Sequence, residues 1–342
     1  MFQDKNWPAA VLDKSLLKLR FLVYMAGMKP TRKYRRTTEH YGILVNQSAA
    51  NYDSKIVDDL IAEIKRKRAN FSIAEPSSAM GLMQQAQTMA GLRRIRGSRS
   101  AEEHRRGKIT KLVVCGGDGT FNLAARAALK ANLPIGIIPL GKENNIAISL
   151  FDSVSPEEGI KRVFSKNYKS IDYATVANQM FFGSLGIGLI PNLERLLQQN
   201  GRPRFKMGWS SLGTKAALNC NVRNTIIKVD AFRFELSPLI FNVNLLPYSA
   251  GIKVSPVSGL ADGLAEVIFD INVKPKEAGK LLKQLSKEKF WYGSDIRMYR
   301  GKIITIQPTE GMLLYLDGEL LTLPTNFVEI EVGSRQLKVC GE

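Results

Sequence analysis

At 342 residues the chain exceeds the roughly 250 at which a single hydrophobic core stops growing, so two domains are expected. A hydrophobic fraction of 44% and a charged fraction of 23% exclude wholesale disorder and fibrous repeats, while 49 Lys and Arg against 31 Asp and Glu leave +18, a field that favours nucleic acid, phosphorylated ligands or an anionic membrane surface. Cys115, Cys220 and Cys340 lack C-x-x-C spacing, which argues against a disulfide framework and a zinc site and points to a reducing, cytoplasmic compartment.

Residues 1–38 read as a basic amphipathic extension. Leu12, Leu16, Leu19 and Val23 recur at helical spacing, and Lys29, Arg32, Lys33, Arg35 and Arg36 follow without an acid. Such a segment either docks on the protein's own surface or lies in a membrane interface. Asp13, Lys14, Lys18 and Arg20 interrupt its apolar run, so neither a membrane span nor a secretory leader is expected.

From Tyr41 short apolar strands alternate with helical segments, the signature of a parallel α/β sheet. Strands are predicted at Tyr41–Asn46, Lys111–Cys115 and Leu133–Ile138, and helices over 53–68, 78–91 and 121–131. Gly91–Lys108, with seven Lys and Arg against two Glu, is predicted as a mobile basic loop. After about residue 170 short β-type runs take over, at Val222–Val229, Phe241–Leu246, Leu264–Ile271, Lys302–Ile306 and Met312–Leu316. Two helical segments, 204–219 and 275–289, interrupt them. The domain reading is therefore a nucleotide-binding α/β domain over 39–170, completed by 324–342, and a mainly antiparallel β-sandwich over 171–323 that holds the substrate.

Val113-Val-Cys-Gly-Gly-Asp-Gly-Thr-Phe-Asn122 places a glycine-rich turn between a buried strand and a helix. Glycines let the backbone approach a ligand, and the N–H groups that open the helix form an anion site. Asp118 puts a like charge into that cradle, a cost on the order of 4 kcal/mol at about 4 Å and an effective dielectric near 20. Chemistry supplies two reasons for an acid there: a divalent cation bridging carboxylate and phosphate, or a carboxylate that takes the proton of an attacking hydroxyl. The plainer reading is a β-turn whose Asp caps the following helix.

Gly116-Gly-Asp-Gly-Thr120 resembles the nucleotide-binding signature of the superfamily of diacylglycerol, sphingosine and NAD kinases. Ile137-Ile-Pro-Leu-Gly-Lys-Glu-Asn-Asn-Ile-Ala147 narrows the resemblance to the diacylglycerol kinase branch. So do Ile171-Asp172, the glycine turn Ser184–Gly188, the long signature Lys253–Val267 and the late acidic turn Asp317-Gly318-Glu319. The matches run in order over roughly residues 40–340. They imply an ATP site in the cleft between the domains, with Mg²⁺ and a lipid acceptor.

Carried over residue by residue, the resemblance places Asn46, Ser48, Gly116, Gly117, Gly119, Thr120, Gly141, Lys142, Asn144 and Asn145 around the nucleotide. It places Asp118 and Asp172 at the metal, and Asp118, Asp317 and Glu319 in catalysis, with either of the last two as general base. Lys142 stands where the family usually has threonine, Ile148 where many members have arginine, and Asn145 where Asp is common. The first strand ends Asn46-Gln-Ser-Ala-Ala-Asn51 in place of the usual Asn-Pro and Ser-Gly pattern.

The expected function is transfer of the γ-phosphate of ATP to the hydroxyl of a diacylglycerol-like lipid, by a cytoplasmic protein peripherally associated with an anionic membrane through Arg93, Arg94, Arg96, Arg99 and the 29–36 cluster. A homodimer is compatible with this reading. The alternatives are a soluble nucleotide kinase of the NAD kinase type and a non-catalytic protein binding anionic lipid or nucleic acid. The stretch Pro139–Asn145 argues against the first, and the lack of any nucleic-acid-binding motif argues against nucleic acid as a partner.

Overall fold

In the computed structural model the residues described are 39–93, 108–201, 203, 206–255, 259–285, 295–323 and 325–341. The amphipathic extension and residues 94–107 of the basic loop lie outside them. Four apolar strands, β1 (His40–Val45), β2 (Asn70–Ala74), β3 (Lys111–Gly116) and β4 (Ile135–Pro139), run parallel in the order β2-β1-β3-β4. Alternation along β3 assigns each side chain to a layer. Leu112 and Val114 pack with α2 (Ala79–Met89), α3 (Asp118–Ala131) and α4 (Asn145–Phe151). Val113 and Cys115 pack with α1 (Ser54–Arg66) and α5 (Pro156–Val163) on the opposite face. A strand covered on both faces needs the unbroken apolar run that β3 shows.

The chain returns to this sheet at its end. β20 (Leu337–Cys340) inserts between β4 and β5 (Tyr168–Ile171), parallel to the first and antiparallel to the second. Among the described residues of 324–342 only this strand joins the parallel sheet. β19 (Val328–Val332), whose burial alternates strictly, belongs to the second domain.

That second domain packs two antiparallel sheets face to face. One has the order β10-β9-β16-β19-β6-β7, from β6 (Ala174–Val176), β7 (Gln179–Phe181), β9 (Thr225–Val229), β10 (Phe232–Leu236), β16 (Ile303–Gln307) and β19. The other has the order β15-β14-β11-β8-β17-β18, from β8 (Ser184–Gly188), β11 (Ile240–Asn244), β14 (Ala265–Asp270), β15 (Ile296–Gly301), β17 (Leu313–Leu316) and β18 (Glu319–Thr322). Leu185, Phe241, Val243, Val267, Phe269, Ile304 and Ile330 share the core between them. A short hairpin, β12 (Tyr248–Ser249) with β13 (Ile252–Lys253), forms a two-stranded sheet of its own.

Two expectations need correction. Ser184–Gly188 is not a turn but a central strand, paired with β11 and β17. The β-rich half also holds a third helix, α6 (Leu189–Asn200), beside α7 (Lys206–Leu218) and α8 (Pro275–Leu285). In α6, Leu189, Leu193, Leu196 and Leu197 recur at helical spacing, and Pro191 falls in the first turn, where no backbone hydrogen bond is lost. The three helices cover the second sheet's outer face around Ile240, Tyr315 and Ile252. Among the described residues no helix is long and apolar enough to cross a membrane.

Candidate active site

Helix α3 begins at Asp118, three residues before the predicted start, so Asp118, Gly119 and Thr120 form its first turn, with Gly117 as an extended N-cap. A glycine N-cap has no side chain to occupy the helix's opening N–H groups, which leaves them for an anion. The surrounding loops are closely fitted. A Cβ on Gly116 would stand 2.7 Å from Thr120, whose hydroxyl accepts from Asn46 Nδ2 at 2.9 Å, and Asn46 Oδ1 accepts in turn from the Ser48 N–H at 3.0 Å.

The second glycine-rich stretch packs directly on the first. A Cβ on Gly141 would lie 2.5 Å from the Gly117 Cα. Asn144, in a left-handed conformation at φ +54, accepts from the Gly141 N–H at 2.8 Å through Oδ1 and donates to the Gly141 carbonyl at 2.9 Å. Asn51 donates to the same carbonyl at 2.6 Å. Because the obstacle at Gly141 is backbone and cannot swing aside, Gly141→Ala is expected to destabilise the fold by about 1–3 kcal/mol. A urea-unfolding midpoint equal to that of the unaltered protein would show that the two turns are not in contact.

Asp118 is 8% exposed, and its carboxylate has a third role besides the two the sequence suggested. Oδ2 accepts from the Asn145 N–H at 2.9 Å and from Asn145 Nδ2 at 3.0 Å, and Oδ1 accepts from the Ile146 N–H at 3.0 Å. It therefore caps α4, the helix after the second glycine turn, and not its own helix. Burial pushes its carboxyl up to about 6, opposed by the two backbone N–H groups. Asn145 extends the network across the cleft, donating to the Tyr315 hydroxyl at 3.4 Å and accepting from the Gly251 N–H at 2.8 Å.

Asp317-Gly318 is the two-residue turn of the β17–β18 hairpin, with φ +46 and +94, so the bland reading of this motif as a strand connection and the functional one coexist. Asp317 is 4% exposed and accepts four hydrogen bonds, from Asn122 Nδ2 (2.8 Å) and the N–H groups of Phe182 (2.7 Å), Gly183 (2.9 Å) and Ser184 (2.9 Å). Asn122 lies on α3, so this carboxylate ties the two domains together across 195 positions of sequence. Glu319 differs. It is exposed to the cleft, and a Cβ on Gly119 would stand 3.8 Å from its Oε1, so the carboxylate faces the opening turn of α3. The surrounding protein raises its pKa by desolvation, Arg126 lowers it and Asp317 raises it.

Lys142 is exposed and reaches away from the glycine turns. Its Nζ donates to the Leu197 carbonyl on α6 at 3.2 Å and lies in the field of Glu194, whose pKa burial raises and Lys142 lowers. Asp172 is held in another loop, its N–H donating to the Leu260 carbonyl at 2.8 Å and its Oδ2 accepting from the Gly263 N–H at 2.7 Å. Among the described residues no group of three or more His, Cys, Asp and Glu side chains is placed to enclose a metal ion. With Asp118 committed to three N–H donors, these residues do not by themselves build a Mg²⁺ site, and no step below passes through one.

Arg126, Asn122 and Tyr315 were not among the sequence candidates. Arg126 donates to Asn122 Oδ1 at 2.7 Å and to the Met180 carbonyl at 2.9 Å. The i, i+4, i+8 spacing of Asp118, Asn122 and Arg126 sets all three on one helix face, a signal present in the sequence.

A helix N-terminus opened by glycines and faced by a carboxylate from an adjoining β-sandwich forms a cleft suited to a phosphate-bearing ligand. Residues 40–176 match the diacylglycerol kinase catalytic domain. A provisionally named lipid kinase of Staphylococcus aureus (strain N315) is 25% identical over 232 residues, covering 65% of this chain and 73% of that one. The crystal structure of a diacylglycerol kinase from Bacillus anthracis str. Sterne superposes with a TM-score of 0.67 at 18% identity, over 89% of this chain and 97% of that one, a likeness of fold.

Proposed function

We propose that this protein transfers the γ-phosphate of ATP to the hydroxyl of a diacylglycerol-like lipid, with Glu319 as the general base. The observation that carries the reading is the placement of Glu319 opposite Gly119, at the anion-binding end of α3. The opening N–H groups of α3, with Thr120 and Asn46 behind them, would hold the triphosphate, and ATP supplies the phosphoryl group when bound. Of the two second-domain acids, Asp317 has four donors around it and serves to position the hairpin. Glu319 is left to accept the acceptor hydroxyl's proton as the oxygen attacks phosphorus. Desolvation in the cleft raises its pKa toward the working pH, which suits a base.

A lipid in a bilayer reaches this cleft only if the protein comes to the interface, and the net charge of +18 supports docking on an anionic surface. The test uses ATP labelled in its γ-phosphate and mixed micelles that hold, in turn, diacylglycerol, monoacylglycerol, phosphatidylglycerol, a sphingoid base and ceramide. Label is expected in at least one lipid product. Label in none of them, with NAD phosphorylated instead, would replace this reading by a nucleotide kinase.

A further inference from the structure

The two sheets of the β-sandwich end side by side in β10 and β15, each of which has a strand neighbour on one side only. The Phe232 and Phe234 rings of β10 stand 5.6 and 4.7 Å from that of Tyr299 on β15. β10 pairs with β9 along all five of its residues, Phe232-Arg-Phe-Glu-Leu236, and among the described residues no strand pairs with its other side. Its outward row of N–H and C=O groups is a template for a further strand. Proteins blunt such an edge with a proline, a lysine or a bulge, and β10 has none of the three.

Alternation sorts the side chains of this edge onto two faces. Phe234 and Leu236 pack against the core between the sheets, with the Phe234 ring 5.0 Å from that of Phe269. Phe232 continues this apolar row but is 58% exposed. Arg233 and Glu235 lie on the opposite face, in solvent. Their mutual contact at 3.5 Å, and the bond that Glu235 accepts from Asn224 Nδ2 at 3.2 Å, are exposed and contribute little.

The order of residues along β10 is its own complement. In an antiparallel pair of two β10 strands with a two-fold axis at Phe234, each Arg233 stands opposite Glu235 of the second copy, and Phe232 opposite Leu236. Directly opposed Cβ atoms lie about 4.5–5.5 Å apart, within reach of an ion pair. β15 offers no such match. Its residues, Ile296-Arg-Met-Tyr-Arg-Gly301, include two arginines and no acid, so a second copy there would set like charges together.

We propose that β10 is the docking edge for a second copy of this chain, joining the β10-β9-β16-β19-β6-β7 sheets of two copies into one continuous sheet. The pairing covers Phe232 and satisfies the open edge of both strands at once. It also leaves the clefts free. β18, which carries Glu319, lies five strand spacings from β15, roughly 24 Å at about 4.8 Å each. The inference is independent of the lipid-kinase reading.

The experiment measures the mass of the full chain by sedimentation over a dilution series that starts at about 10 μM, where a dimer with a tighter Kd is mostly assembled. The unaltered protein is expected at twice the 38.0 kDa of one chain. Arg233→Glu or Glu235→Arg sets like charges opposite each other at two symmetric places, and each is expected to raise the dimer Kd about tenfold or more. Mixing the two variants restores opposite charges at both places, so a mixed dimer is expected. The chain that carries both substitutions is expected to dimerise with itself again. A misfolded chain could do neither. A mass of 38.0 kDa for the unaltered protein overturns the proposal. So do single variants that dimerise as the unaltered protein does, or that mixing fails to rescue. A monomeric protein whose binding to phosphatidylglycerol vesicles is lost with Phe232→Ser would overturn it too, and would assign the edge to a membrane.

Discussion

Glu319→Gln is expected to lower kcat by about 10²–10⁴-fold, the usual contribution of a positioned general base, with little change in stability. The substitution is nearly isosteric and the side chain is exposed to the cleft, so packing is preserved while the proton acceptor is lost. The pH profile supplies an independent check. A base works only when deprotonated, so activity falls as pH drops through its pKa. Desolvation places that acid limb above the ordinary glutamate range, and Arg126 holds it down. Arg126→Gln is therefore expected to move the limb to higher pH. Near-normal turnover in Glu319→Gln, or a limb that ignores the Arg126 substitution, would remove Glu319 from the role.

Much of this site was legible because its signals are local. Strand β3, the glycine run and the start of α3 follow one another in sequence, and each has a composition that determines its backbone. The Asp317-Gly318 turn is likewise written in two adjacent residues. What could not be read was the pairing of side chains across long separations. Asp118 capping α4 depends on contact between the Gly117 and Gly141 backbones, and that contact exists only once β3 and β4 are side by side. Lys142 reads equally well as a phosphate ligand or a surface residue in one dimension, and its bond to the Leu197 carbonyl requires α6, a helix the β-rich texture around it concealed. Ser184–Gly188 resembles a glycine turn of the family, yet in the fold it is a strand in which Gly186 is small to admit Asn242, a strand-to-strand fact with no trace in the local sequence.

Asp317→Asn tests the most connected of these long-range pairings, and its expected effect falls first on stability. The left-handed backbone at φ +46 accommodates asparagine as readily as aspartate, so the change isolates the carboxylate's acceptors from the turn's geometry. Oδ1 accepts from the N–H groups of Gly183 and Ser184, and Oδ2 from the Phe182 N–H and Asn122 Nδ2. Burial pushes this carboxyl above its usual range, and the four donors pull it back toward the ionised form. An asparagine side chain keeps one oxygen and turns an NH₂ group toward the other pair, leaving two buried donors unmatched at about 1–3 kcal/mol each. A loss of roughly 2–6 kcal/mol in unfolding free energy is therefore expected, read from denaturant midpoints. Because Asn122 comes from the other domain, a double-mutant cycle with Asn122→Ala should show a coupling of about 0.5–3 kcal/mol. Turnover should fall as well, since the turn that positions Glu319 loses its anchor to α3. An Asp317→Asn protein as stable as the original, with no coupling to Asn122, would mean that the carboxylate is not what holds the hairpin against the first domain.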